Sequence, residues 1–177
     1  AGILFDETGD RLTPTYTKKH GKRYCYYVSK RLIGEPNAKD GWRIPANDLE
    51  QTIVHGLEAF LEGEAGWMKV LGTRDLSVAE VIEARWHVAA LLRTLSVDSG
   101  EDFKAVVHRA AEKITLTPGS ILIDIQFAGL FPDLVADADR TVHTITLPFH
   151  MRRRGVEAKI VIPGAKIQSI HPDENLV

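Results

Sequence analysis

Five basic residues, Lys18, Lys19, His20, Lys22 and Arg23, run directly into the aromatic series Tyr24, Tyr26 and Tyr27, and Lys30 and Arg31 close the segment. Cationic side chains interleaved with planar ones suit a phosphate backbone and its sugars or bases: the cations neutralise phosphates and the rings offer stacking surfaces. A second basic cluster, Arg152, Arg153 and Arg154, lies near the other end of the chain and is the second candidate polyanion contact.

Other chemistry finds little support in the residue pattern. The seven histidines form neither HxxxH nor HExxH, and none stands near a plausible ligand cluster. There is no GxSxG, no Walker A loop and no GxGxxG. Cys25 is the only cysteine, so neither a disulfide framework nor a cysteine-based zinc site is available. Ser29 and Cys25 lack an identifiable base. The expectation is a chain with no catalytic residue, no metal and no cofactor.

Charge distribution sharpens the picture. Residues 1–43 carry nine Lys/Arg against five Asp/Glu, residues 44–115 seven against twelve, and residues 116–177 six against seven. A net charge of −2 thus conceals a basic arm on an acidic body, which concentrates polyanion affinity at one end. The alternative is a solvated charged hairpin. No apolar run approaches the length of roughly 18 residues that spans a bilayer, so no membrane partner is expected. The opening Ala-Gly-Ile-Leu-Phe is strand material without an initiator Met, as in a piece cut from a longer protein.

The elements that must position these residues follow from periodicity. A strand at Ile3–Phe5, a turn at Gly9, a strand at Arg11–Lys18, a turn at His20-Gly21-Lys22 and a strand at Arg23–Ser29 predict a three-stranded ribbon. Alternation places Tyr24, Tyr26 and Val28 on one face and Cys25, Tyr27 and Ser29 on the other. Asn47 and Glu50 read as a capping box opening a helix with Leu49, Ile53, Leu57, Phe60 and Leu61 inward. Ser77 and Glu80 read as another, with Val78, Val81, Ile82, Ala89 and Leu92 inward. Ser99 and Asp102 open a third, with Phe103, Val106, Val107 and Ala110 on one side. Beyond Ile114 the period changes to two: strands are predicted at 121–127, 141–149 and 156–162, the last two joined by an arginine turn at 151–155. The fold class is α+β, divided as a β-ribbon (1–45), a helical segment (46–113) and a β-rich segment (114–177).

The stretch GILFDETGDRLTPTYTKK…GKRYCYYVSKRLI, followed by GWRIPANDLEQTIVHGLEAFL, resembles the region downstream of the catalytic domain in large serine site-specific recombinases of the resolvase/invertase superfamily. The segment LPFHMRRRGVEAKIVI is similar to the tail of the same subfamily; residues 64–115 add little. In many members this region is a zinc ribbon with two cysteine pairs. Here Asp6-Glu7-Thr8 stands in place of the first pair, and Val28-Ser29 follows Tyr26-Tyr27 where a cysteine is usual. The resemblance therefore implies a zinc-free ribbon held by Phe5, Leu12, the tyrosines and Trp42, since zinc would ordinarily supply much of such a module's folding free energy.

What the resemblance implies for function is binding of double-stranded DNA at a recombination site in the bacterial cytoplasm. Self-association would occur within the full-length recombinase, and the nucleophilic serine would lie in a domain outside this sequence. Lys18, Lys19, Lys22 and Arg23 would contact phosphates, while Tyr24, Tyr26, Trp42 or Arg43 would approach sugars or base edges. Arg152, Arg153 and Arg154 would make a second backbone contact or meet another subunit. The competing reading is a protein-interaction module whose helices present a partner surface with Trp67, Trp86 or Phe103 as anchors.

Overall fold

The computed structural model describes residues 2–35, 40–71, 76–96, 102–131, 142–154 and 157–161. The fold is α+β, with strands first, helices in the middle and strands again at the end.

Alternating apolar residues build the central sheet. Strands β5 (Ala111–Thr117), β6 (Ser120–Gln126) and β7 (Val142–Pro148) form an antiparallel meander. Ile121, Ile123 and Ile125 are fully buried on one face of β6, opposite Leu147, Ile145 and His143 of β7. On the other face the Thr144 hydroxyl donates to the Asp124 carboxylate at 2.7 Å. Strand β1 (Leu4–Asp6) completes this sheet by pairing in parallel with β5, Leu4 opposite Ile114 and Asp6 opposite Leu116. The expected ribbon of the first three strands is thereby corrected. Leu4 has an apolar row to join in β5, so β1 leaves the hairpin for the central sheet.

The second sheet consists of β2 (Leu12–Lys19), β3 (Lys22–Ser29) and β4 (Arg43–Pro45), all antiparallel. The expected facial division of β3 holds, because Tyr26 faces Thr15 and Tyr24 faces Thr17, whereas Tyr27 faces Pro14 and Cys25 faces Tyr16. A short helix α1 (Lys30–Gly34) follows β3.

Helix α2 (Ala46–Glu62) buries Leu49, Ile53, Leu57 and Leu61 as their spacing predicts. Its start differs: Pro45 is the N-cap with no side-chain cap, and the Glu50 carboxylate instead accepts a 2.8 Å bond from the Tyr27 hydroxyl. Fixed φ at a proline suits the entry to a helix, which moves the boundary ahead of Asn47. Toward its other end α2 crosses β7, where Phe60 stacks on His143 at 5.8 Å between ring centroids.

Helices α3 (Glu64–Leu71), α4 (Val78–Ser96) and α5 (Asp102–Ala110) follow. The Ser77–Glu80 capping box forms, with the Ser77 hydroxyl donating to Glu80 at 2.7 Å. The inward face of α4 is not the expected one: Ala84, Val88, Leu91 and Leu95 are buried, while Val78 and Ile82 are exposed. Val106, Val107 and Ala110 of α5 are buried as expected. Ser99 and the side chain of Phe103 lie outside the described residues. A four-residue helix α6 (Phe127–Leu130) leaves β6. One hydrophobic cluster draws Leu4, Leu12, Trp42 and Ile44 together with Leu57, Leu91, Val107 and Ile123. The three segments distinguished in the sequence therefore share a single core.

Strands β8 (His150–Arg154) and β9 (Glu157–Val161) form a separate antiparallel pair, and β9 runs beside β4. Arg152, Arg153 and Arg154 thus lie within a strand opposite Lys159, Ala158 and Glu157, correcting the turn expected from the sequence. Strand pairing extends to the residue before Gly155, because the ladder registers Arg154 with Glu157. The remainder of that turn is outside the described residues.

Candidate nucleic-acid interface

The β2–β3 hairpin is anchored at its base and free at its tip. Leu12, Val28 and Ser29 are buried, whereas Lys18, Lys19, Lys22, Arg23 and Tyr24 are exposed. His20 (φ 49°) and Gly21 (φ 76°) supply the two left-handed residues of a two-residue hairpin turn.

Cross-strand register places Lys18 directly opposite Arg23 and Lys19 directly opposite Lys22. Like charges in such positions repel and destabilise a ladder. No Asp or Glu occurs anywhere in residues 12–29 to compensate them. The tip is therefore a cluster of four uncompensated cations held together by its own backbone.

Each face of the hairpin also carries an arginine on a tyrosine. On one face, which also carries Tyr24, Lys19 and Lys22 farther toward the tip, Arg43 of β4 lies 4.7 Å from the Tyr26 ring centroid. Arg43 Nε is buried without a hydrogen-bond partner. On the other face Arg23 lies 3.9 Å from the centroid of Tyr16, which is 58% exposed and pairs with Cys25. Stacking of this kind orients a guanidinium while leaving its edge able to donate. Tyr16 was absent from the sequence-derived candidates; its signal is the alternation Thr13-Pro14-Thr15-Tyr16-Thr17, which sets Tyr16 apart from the threonines.

Trp42 does not belong to the interface. It is 3% exposed, its ring lies 6.2 Å from that of Phe149, and its indole N–H donates to Glu7 at 2.5 Å. Burial of a large ring with a satisfied N–H is a core role. The side chains of Arg152, Arg153 and Arg154 lie outside the described residues, but the pairing of β8 with β9 brings their backbone to the β4 side of the hairpin sheet.

The base of the hairpin is fixed by a polar network. Asp6, at the end of β1, is 1% exposed. Its Oδ1 accepts bonds from the backbone N–H of Thr8 and of Asp10, each at 3.0 Å, and from the Thr8 hydroxyl at 2.6 Å. Its Oδ2 takes the Ser29 hydroxyl at 2.9 Å and Arg31 Nη2 at 2.8 Å. Burial alone would raise the Asp6 pKa, but the hydrogen bonds from Thr8, Ser29 and Asp10 outweigh it and hold the carboxyl below its ordinary value. Ser29 in turn accepts the Trp42 backbone N–H at 2.9 Å, so its hydroxyl both donates and accepts. Asp6 of β1 and Ser29 of β3, from different sheets, are thus in direct contact.

Beneath the hairpin, a cleft of about 250 Å³ is lined by Pro14, Tyr16, Cys25, Tyr27, Glu50 and Lys104, among others. Burial, reinforced by the bond to Glu50, pushes the Tyr27 hydroxyl well above its usual range, so it stays a protonated donor. Cys25 is half-buried on this wall. Among the described residues no group of three His, Cys, Asp or Glu stands close enough to hold a metal ion, and no helix is long and apolar enough to cross a membrane.

Comparison of the chain with protein-family models, curated proteins and solved structures returns no match.

Proposed function

We propose that the chain is a duplex-DNA-binding module and that the β2–β3 hairpin is its contact. The observation that carries this reading is the pair of cross-strand like-charge contacts, Lys18 with Arg23 and Lys19 with Lys22, in a hairpin devoid of acids. A polyanion removes the repulsion that the folded tip otherwise carries and releases its own counterions on binding. In this reading Lys18, Lys19, Lys22 and Arg23 meet phosphates, while Tyr24 and the stacked Arg43–Tyr26 pair face sugars or base edges. The buried Asp6–Arg31 network keeps the base of the hairpin rigid.

The resemblance of the opening segment, its run into RIPANDLE and the RRRG segment support a more specific assignment: the targeting region of a serine site-specific recombinase. Strand cleavage then belongs to a serine outside this sequence, and the chain itself is non-catalytic. The Asp6, Ser29 and Arg31 network serves where zinc would otherwise close the ribbon.

The test is binding of the chain to duplex DNA by fluorescence anisotropy across a salt series. A linear fall of log affinity with log salt is expected, and the quadruple change of Lys18, Lys19, Lys22 and Arg23 to Ala should abolish most of that slope. Undiminished binding by the quadruple variant would remove the hairpin from the interface.

A further inference from the structure

Helix α4 buries one face against α2 and α5, and its opposite face carries an apolar stripe. Val78 is 78%, Ile82 49% and Trp86 69% exposed. Their spacing of four residues aligns them along one side of the helix. Ala79, Ala89 and Ala90 flank them, also exposed, and are too short to cover the rings and methyls beside them. A tryptophan this exposed, continuous with two β-branched residues, is the kind of patch that marks a protein contact.

We propose that this stripe joins two copies of the chain through an antiparallel α4–α4 contact. Charge singles out a second copy as the occupant. Glu80 and Glu83 lie in the N-terminal half of α4 and Arg93 in its last turn, while Arg85 is taken up by its ion pair with Glu64 at 2.6 Å. An antiparallel copy sets Arg93 of each helix toward the acidic N-terminal half of the other, and the two helix dipoles agree with that arrangement. Arg93 is exposed near the centre of the same face; a parallel pair would set it against its own counterpart.

Size complementarity points the same way. With the two Trp86 rings near the two-fold axis, Ile82 of each helix falls opposite Ala90 of the other, large against small. The aliphatic stem of Arg93 then lies over Ala79, with its guanidinium toward the acidic turn of the other copy. Such a contact is isologous and closed, the commonest symmetry of soluble assemblies. It is independent of the DNA reading, because it involves no hairpin residue.

Sedimentation equilibrium of the whole chain without DNA tests the inference. A concentration-dependent dimer is expected. Trp86→Ala should weaken it at least about tenfold, with the thermal unfolding midpoint of the monomer preserved because the ring is exposed. Arg93→Glu should weaken association too, and adding Glu83→Arg in the same chain should restore it. A wild-type monomer at every attainable concentration would overturn the proposal and leave a different protein as the occupant. A dimer indifferent to Trp86→Ala would overturn it as well. Failure of the charge swap to restore association would overturn the antiparallel arrangement.

Discussion

Arg31 Nη2 lies 2.8 Å from Asp6 Oδ2, and this ion pair ties the central sheet to the helix that follows the hairpin. Asp6 ends β1 of the central sheet, while Arg31 stands in the first turn of α1. Arg31 also donates through Nη1 to the Thr8 hydroxyl at 2.6 Å and through Nε to the Asp40 carbonyl at 2.7 Å. A buried carboxylate with this many donors is costly to disturb, because losing any member leaves the others desolvated without a partner.

Asp6→Asn should therefore destabilise the fold at neutral pH by about 2–3 kcal/mol. The pH dependence follows from the depressed Asp6 pKa. The folded value lies below the unfolded value of about 3.9. The carboxylate's contribution is thus fully present above about pH 4 and is lost as pH falls through the folded value. Urea unfolding at pH 7, 4 and 2.5 should show wild type losing more stability on acidification than Asp6→Asn. Parallel pH profiles for the two proteins would refute the assignment.

Lys19→Ala with Lys22→Ala should separate stability from binding. Removing one directly opposed like-charge pair should leave thermal stability unchanged or raise it by a few tenths of a kcal/mol. The same change should lower the log–log salt slope of DNA binding by about 2 if each lysine meets one phosphate. Melting curves and anisotropy on the same samples measure both effects. A slope equal to that of wild type would exclude both lysines from phosphate contact.

Trp42 and Tyr24 should respond oppositely. Trp42→Phe removes the hydrogen bond to Glu7 and should cost about 1 kcal/mol of stability, with DNA affinity retained. Tyr24→Ala, at a site 42% exposed, should leave stability almost intact and weaken binding by about 1–3 kcal/mol, the range for a lost stacking surface. Equal affinity losses in the two variants would contradict the placement of Trp42 in the core.

Gly129 in α6 should not tolerate a side chain. A Cβ there would stand 1.7 Å from the carbonyl oxygen of Arg109, a backbone atom held by α5. Gly129→Ala should cost about 1–3 kcal/mol or more through overpacking. Differential scanning calorimetry would detect the loss, and an unchanged midpoint would show that α6 shifts freely.

Local pattern carried much of the architecture. The period-two run Ile121, Ile123, Ile125 dictated β6, and Leu49, Ile53, Leu57 and Leu61 dictated the buried side of α2, because each element buries what its own periodicity aligns. Within the hairpin, alternation alone separated the faces of Tyr24 and Tyr27. The chemistry of the tip was equally visible, since clustered cations beside tyrosines need no tertiary information to be recognised.

Partners remote in sequence decided the rest. Leu4 could close a ribbon or extend a larger sheet, and only the apolar row of β5, more than a hundred residues away, drew it to the latter. Trp42 reads both as a residue that holds the ribbon and as a DNA contact, and only Phe149 and Glu7, arriving from elsewhere, decide for the packed role. Helix α4 offers apolar residues on more than one side, so which side faced inward depended on where α2 and α5 stood; Trp86 was left outside. The sequence by itself determined the elements and the charge of the tip, through local sterics and composition. Tertiary structure decided which apolar side chains were covered wherever an element offered more than one face or partner, as in α4 and β1, because burial is a property of neighbours.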